Sequence, residues 1–101
     1  MAERPQFLIL LRPVRDTFPG DATADELVVI GEHFEHMKRA TEAGDAILVG
    51  RTQDERPLGL AVIEADDAAA ARRFMEADPA VVAGIFRAEL RPYQVALVRG
   101  R

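Results

Sequence analysis

The hydrophobic positions of this chain change rhythm several times, and each change marks an element. Phe7-Leu8-Ile9-Leu10-Leu11 is a continuous apolar run stopped by Arg12-Pro13, as expected of a short strand buried on both faces. Residues 13–22 hold Pro13, Pro19, Gly20 and two Asp without periodicity, which predicts a loop. Thr23 and Glu26 are spaced as a capping box, so a helix should start there. Leu27, Ile30, Phe34, Met37 and Thr41 then recur at intervals of three and four, forming one stripe that carries helix A to about Ala43. Gly44 is placed to close that helix in the left-handed conformation, and Ala46-Ile47-Leu48-Val49 reads as a second buried strand ended by Gly50.

Residues 51–57 are polar loop, and Leu58 to Glu64 resumes a strand pattern that ends at Asp66. The Asp66 carboxylate is suited to cap the alanine-rich run from Ala68 to Ala77, the shorter helix B, which Asp78-Pro79 ends because proline disfavours the α conformation before it. After Gly84, Phe86, Ala88 and Leu90 alternate with Arg87, Glu89 and Arg91, which predicts a half-buried strand. Pro92 means that this strand bends or lies at a sheet edge, with Val95, Leu97 and Val98 continuing it.

The order β-α-β-β-α-β is that of the ferredoxin-like α+β arrangement, a four-stranded antiparallel sheet with two helices on one face. At 101 residues the chain has room for one hydrophobic core, so a single domain over 1–101 is expected. The first two strands are apolar on both sides, whereas the helices cover only one face of the sheet. A second copy of the chain, packed sheet to sheet, is the simplest cover for the other face, and a homodimer is expected.

Composition narrows the chemistry. The chain has no cysteine, which removes disulfides, thiolate metal ligation and cysteine nucleophiles and favours the cytoplasm. Thirteen Lys and Arg lie scattered among seventeen acidic residues, giving a net charge of −4 with no basic stripe, so nucleic acid is not an expected partner. Met1 to Pro5 is polar and leads into an apolar run too short for a signal core or a membrane span; neither targeting nor membrane insertion is expected. No glycine-rich phosphate loop and no spaced metal-ligand set is visible, so no cofactor and no metal is implied.

Two histidines remain as acid–base candidates, His33 and His36, both on helix A. At about 100° per residue, His33 falls roughly 80–90° from the centre of the apolar stripe, at the rim of the core, and His36 roughly 140° away, facing outward. Helices A and B run antiparallel. His33 lies about 15 Å above the lower end of its helix and Asp78 about 16 Å above that of the other, so the two can meet at one height.

These residues also carry a resemblance. Glu32-His33-Phe34-Glu35-His36-Met37, the turn from Gly44 to Gly50, Asp78-Pro79-Ala80-Val81-Val82-Ala83-Gly84 and Arg91-Pro92-Tyr93 together resemble the YciI-like (YCII-related) family of small dimeric ferredoxin-like proteins, over most of the chain. The resemblance implies a dimeric α+β barrel and places His33 and Asp78 on the family's proposed acid–base pair, with Asp78 orienting the ring and His33 acting. One departure stands out: Val49-Gly50 is followed by Arg51-Thr52 where the family often has Ala-Gly-Pro, implying a rebuilt pocket rim. Arg12, Arg51 and Tyr93 are candidates to hold a small anionic or phenolic ligand. Such a pair suits an elimination or isomerisation, the work of a lyase or isomerase. The rival reading is a non-catalytic module of the same fold that binds a metabolite or a protein partner.

Overall fold

The computed structural model describes residues 4–100; Met1 to Glu3 of the polar amino-terminal stretch, and Arg101, lie outside the described residues. The chain order is β1 (Gln6–Pro13), α1 (Ala24–Glu42), β2 (Ala46–Arg51), β3 (Gly59–Glu64), α2 (Ala68–Glu76), α3 (Pro79–Val82) and β4 (Phe86–Tyr93). The strands form one antiparallel sheet in the order β2-β3-β1-β4, the expected ferredoxin-like α+β topology. None of the helices among the described residues is long and apolar enough to cross a membrane.

Directly paired residues share a face of the sheet, so the register sorts its side chains. Phe7, Ile9 and Leu11 lie opposite Ile63, Ala61 and Gly59 on one side and Pro92, Leu90 and Ala88 on the other, and the helices cover this face. The main cluster adds Met37, Ala40, Ala71 and Met75 from α1 and α2. A smaller cluster of Phe18, Ala80 and Ile85 lies beneath α3 and the β1–α1 loop. The opposite face presents Leu8, Leu10, Leu60, Val62 and Leu48, followed by Arg87, Glu89 and Arg91 on β4.

The local signals are largely realised. Thr23 Oγ1 accepts from the Glu26 amide at 3.1 Å while Glu26 accepts from the Thr23 amide at 2.9 Å, completing the capping box. Gly44 follows α1 with φ +88°, where a side chain would be strained.

Four expectations change. The cap of α2 is Asp67, whose side chain accepts from the Ala70 amide at 2.8 Å, and not Asp66. β2 is not buried: it is an edge strand with only Ala46 enclosed, and a bulge between Ala46 and Leu48 puts these two residues, which regular alternation would place on one face, on opposite faces. β4 is the other edge, where Pro92 leaves no ladder partner wanting, but among the described residues no strand follows Tyr93. Finally, α1 is turned from its expected setting. Its enclosed positions are Met37 and Ala40, flanked by half-buried Val29, Ile30, His33 and His36. That arc centres on His33, roughly 80° from the centre of the apolar stripe at 100° per residue. Leu27 and Phe34, read as core, are 57% and 64% exposed.

Candidate active site

The turn of α1 brings His33 inward against the joint between α2 and α3. Asp78 ends the first of these helices and caps the second, so its carboxylate has two tasks. Its Oδ1 accepts from the Ala80 amide at 3.0 Å, the side-chain bond of an N-cap. Its Oδ2 lies 2.7 Å from His33 Nδ1. Pro79 at the first position of α3 favours this geometry, since a missing amide costs nothing there and its fixed φ suits a helix start. Asp78 is 1% exposed and is the one buried charged residue among the described residues. An isolated buried carboxylate would be costly, and the two donors satisfy it.

A carboxylate oxygen accepts, so Nδ1 donates and the neutral ring carries its lone pair on Nε2. Phe86 meets the imidazole edge-on with centroids 5.3 Å apart, and Phe18 meets Phe86 in the same way at 6.0 Å. The ring is thereby held by Asp78 at Nδ1 and by the perpendicular Phe86 ring. Nε2 makes no hydrogen bond among the described residues, and no buried side-chain polar atom there is left unsatisfied, so Nε2 is the ring atom open to solvent.

His33 opens onto a cleft of about 530 Å³ between α1, the β1–α1 loop and the β2–β3 hairpin. The walls are apolar and partly aromatic: Phe18 and Pro19 from the loop, Phe34 and Met37 from α1, Phe86 from β4 and Pro57 from the hairpin. Arg51 stands at the end of β2 as the cationic group of the lining. Among the described residues no carboxylate forms an ion pair with it.

Of the five candidate residues, the structure therefore brings together His33, Asp78 and Arg51. Arg12 and Tyr93 are elsewhere. Both lie on the opposite face of the sheet: Arg12 pairs with Glu89 at 2.9 Å, and Tyr93 stands opposite Gln6 at the far end of β4 from Phe86. Strand alternation accounts for the separation, because Arg12 follows Leu11 by one residue and so points away from it. His36 also departs from its expected outward placement. It is half-buried, with its ring stacked on Phe74 and Nε2 3.1 Å from the Phe74 carbonyl oxygen.

The loop wall is tied to α1 by charge. Arg15 bonds Asp21 at 2.8 Å and Glu26 at 2.9 Å, and Thr17 donates to Asp21 at 2.6 Å. The Arg15 bond, aided by the Thr23 amide, holds the Glu26 carboxyl well below its ordinary range, at about 2. Asp21 is lowered and Arg15 raised by the same contacts, led respectively by the bonds to Arg15 and to Glu26.

The molecule is thus an α+β ferredoxin-like domain with one oriented imidazole at the wall of an apolar cleft. The YCII-related domain matches residues 6–93, and the chain belongs to that family. No curated protein matches it. Among solved structures it is similar to 5-chloro-2-hydroxyhydroquinone dehydrochlorinase from Burkholderia phenoliruptrix, solved in complex with 2,5-dihydroxybenzoquinone. The TM-score is 0.58 at 19% identity, with 87% of this chain and 93% of that chain covered. At that identity the likeness is one of fold.

Proposed function

We propose that this protein is a cofactor-independent enzyme of the YCII-related family in which His33 transfers a proton to or from a small ring-containing substrate. One observation carries the reading: Nδ1 of His33 is engaged by a buried carboxylate while Nε2 is left bare beside an apolar cleft. A base so held is in the correct tautomer before substrate arrives, and the carboxylate favours the imidazolium that forms. The chemistry that suits it is elimination or isomerisation. In an elimination, Nε2 removes a proton, the electron pair it leaves becomes a double bond, and the leaving group departs as an anion. In an isomerisation, the imidazolium returns the proton to another atom of the same molecule. Arg51 would hold a carboxylate or phenolate of the substrate and any negative charge that develops on it. The neighbouring fold's dehydrochlorinase and its quinone ligand fit such chemistry and make phenols and quinones the first compounds to try.

We also propose that the active form is a homodimer packed through the apolar sheet face, where Leu8, Leu10, Leu48 and Leu60 would meet their counterparts. The test of function is thermal unfolding in the presence of small phenols, quinones, lactones and carboxylates, followed by turnover of any compound that raises Tm. Binding and turnover in the parent, with turnover lost in His33→Ala, support an enzyme. Equal turnover in both proteins returns His33 to a packing role. Binding without turnover would make the domain a metabolite-binding module.

A further inference from the structure

The two histidines of α1 stand one turn apart and grip the same joint. His33 holds Asp78, and His36 holds Phe74 four residues earlier. The Phe74 carbonyl belongs to the last turn of α2, whose carbonyls lack helical partners. In a continuing helix it would accept from the Asp78 amide. Here that amide donates to Met75 at 3.3 Å instead, because the chain tightens as Asp78 becomes the cap of α3. The freed oxygen is taken by the His36 ring, which lies nearly parallel to the Phe74 ring, 20° apart with centroids separated by 4.4 Å. Since a carbonyl only accepts, Nε2 of His36 is a donor.

We propose that His36 is a positioning residue for the acid–base pair: by binding the Phe74 carbonyl it fixes the α2–α3 joint in the conformation that aims Asp78 Oδ2 at His33 Nδ1. The functional weight of this rests on the reading of His33 and Asp78 given above, but the geometry can be tested without a substrate. Stacking alone would be a packing role, and two variants separate the two contributions. His36→Phe keeps an aromatic ring against Phe74 and removes the donor. His36→Gln removes the ring and keeps a donor.

The readout is the proton resonance of His33 Nδ1–H at fixed pH and its exchange with solvent, in protein whose amide spectrum shows the native fold. In His36→Phe the resonance should shift and its exchange should quicken roughly tenfold, reporting more frequent opening of the joint. His36→Gln should restore most of the parent behaviour. A parent-like signal in His36→Phe would overturn the proposal, as would equal disturbance in both variants. Should His36→Phe fail to fold, His36→Met takes its place as an apolar, donor-free side chain. A failed acid–base reading would appear differently, as undiminished turnover in His33→Ala, and would leave this comparison of resonances intact.

Discussion

The two faces of this sheet are built from the same strands and do opposite things. On the helix-covered face, Phe7, Ile9 and Leu11 close on a core, and the packing leaves a cleft where a buried carboxylate orients one histidine. On the other face, half-buried Leu8, Leu10 and Leu60 and exposed Leu48 surround the enclosed Val62 beside the ion-paired Arg12, Glu89 and Arg91, and among the described residues no helix packs over them. The difference teaches that a one-residue step along β1 separates the wall of the cleft from the apolar outer face of the sheet. Leu11 lines the cleft, and Arg12 belongs to the exposed face.

The sharpest way to break this comparison is to remove the pair on the covered face. With a turned-over substrate, His33→Ala should lower kcat by roughly 10²–10⁴-fold with little change in KM, because proton transfer acts mainly in the transition state. Asp78→Asn should approach that loss, since an amide can present a donor to Nδ1 and select the wrong tautomer. It also disturbs the α3 cap and the one buried charged contact, so thermal unfolding should show a stability loss of about 1–3 kcal/mol.

The open face is tested next. Leu10→Glu should convert a particle of twice the 11.1 kDa chain mass into one of a single chain in light scattering, with the helix-side core retained. A folded single chain in the unmodified protein would refute the dimer.

Smaller effects sharpen the division between faces. Arg51→Ala should raise KM for an anionic substrate roughly tenfold, the worth of one charge-assisted contact, and leave kcat nearly unchanged. Arg12→Ala should alter neither constant by measurement of steady-state rates. If Arg12→Ala acts like Arg51→Ala, the separation of the faces is wrong.

The smallest effect is a pH dependence of the cleft wall. The carboxyls of Glu26 and Asp21 are lowered in the folded protein, so the Arg15 bonds contribute fully above the ordinary carboxyl range. That contribution declines as pH falls from about 4.5 towards about 2. Amide exchange in residues 15–22 should therefore exceed the change expected from pH alone across that window. Arg15→Gln should already show the raised exchange at neutral pH.

The fold was legible because its signals are periodic and local. The apolar run of β1, the Thr23–Glu26 box, the Gly44 stop and the alternation after Gly84 each name an element without help from distant contacts. That His33 and Asp78 could meet was legible from rise per residue, since two antiparallel helices on one sheet share a height scale, and the family resemblance singled out the two as a pair. The facing of α1 was not. Its stripe mixes core residues with cleft residues, so Phe34 and Leu27 pulled the reckoned centre away from His33. That same error turned His36 outward. Four residues of α3 were invisible because Asp78-Pro79 marks the end of one helix and the start of another equally well. β2 read as buried because an apolar edge strand has the same letters as a central one.

The central claim is that His33 presents a bare Nε2 to a ligand in the cleft while Asp78 keeps the proton on Nδ1. It is tested most directly by the ¹H–¹⁵N spectrum of the His33 ring, recorded where the ring is neutral, without and with 2,5-dihydroxybenzoquinone. The account predicts a proton on Nδ1, none on Nε2, and a shift of the Nε2 resonance when the probe is added. A ring protonated on Nε2 instead, or ring resonances that ignore a probe bound elsewhere, would contradict it.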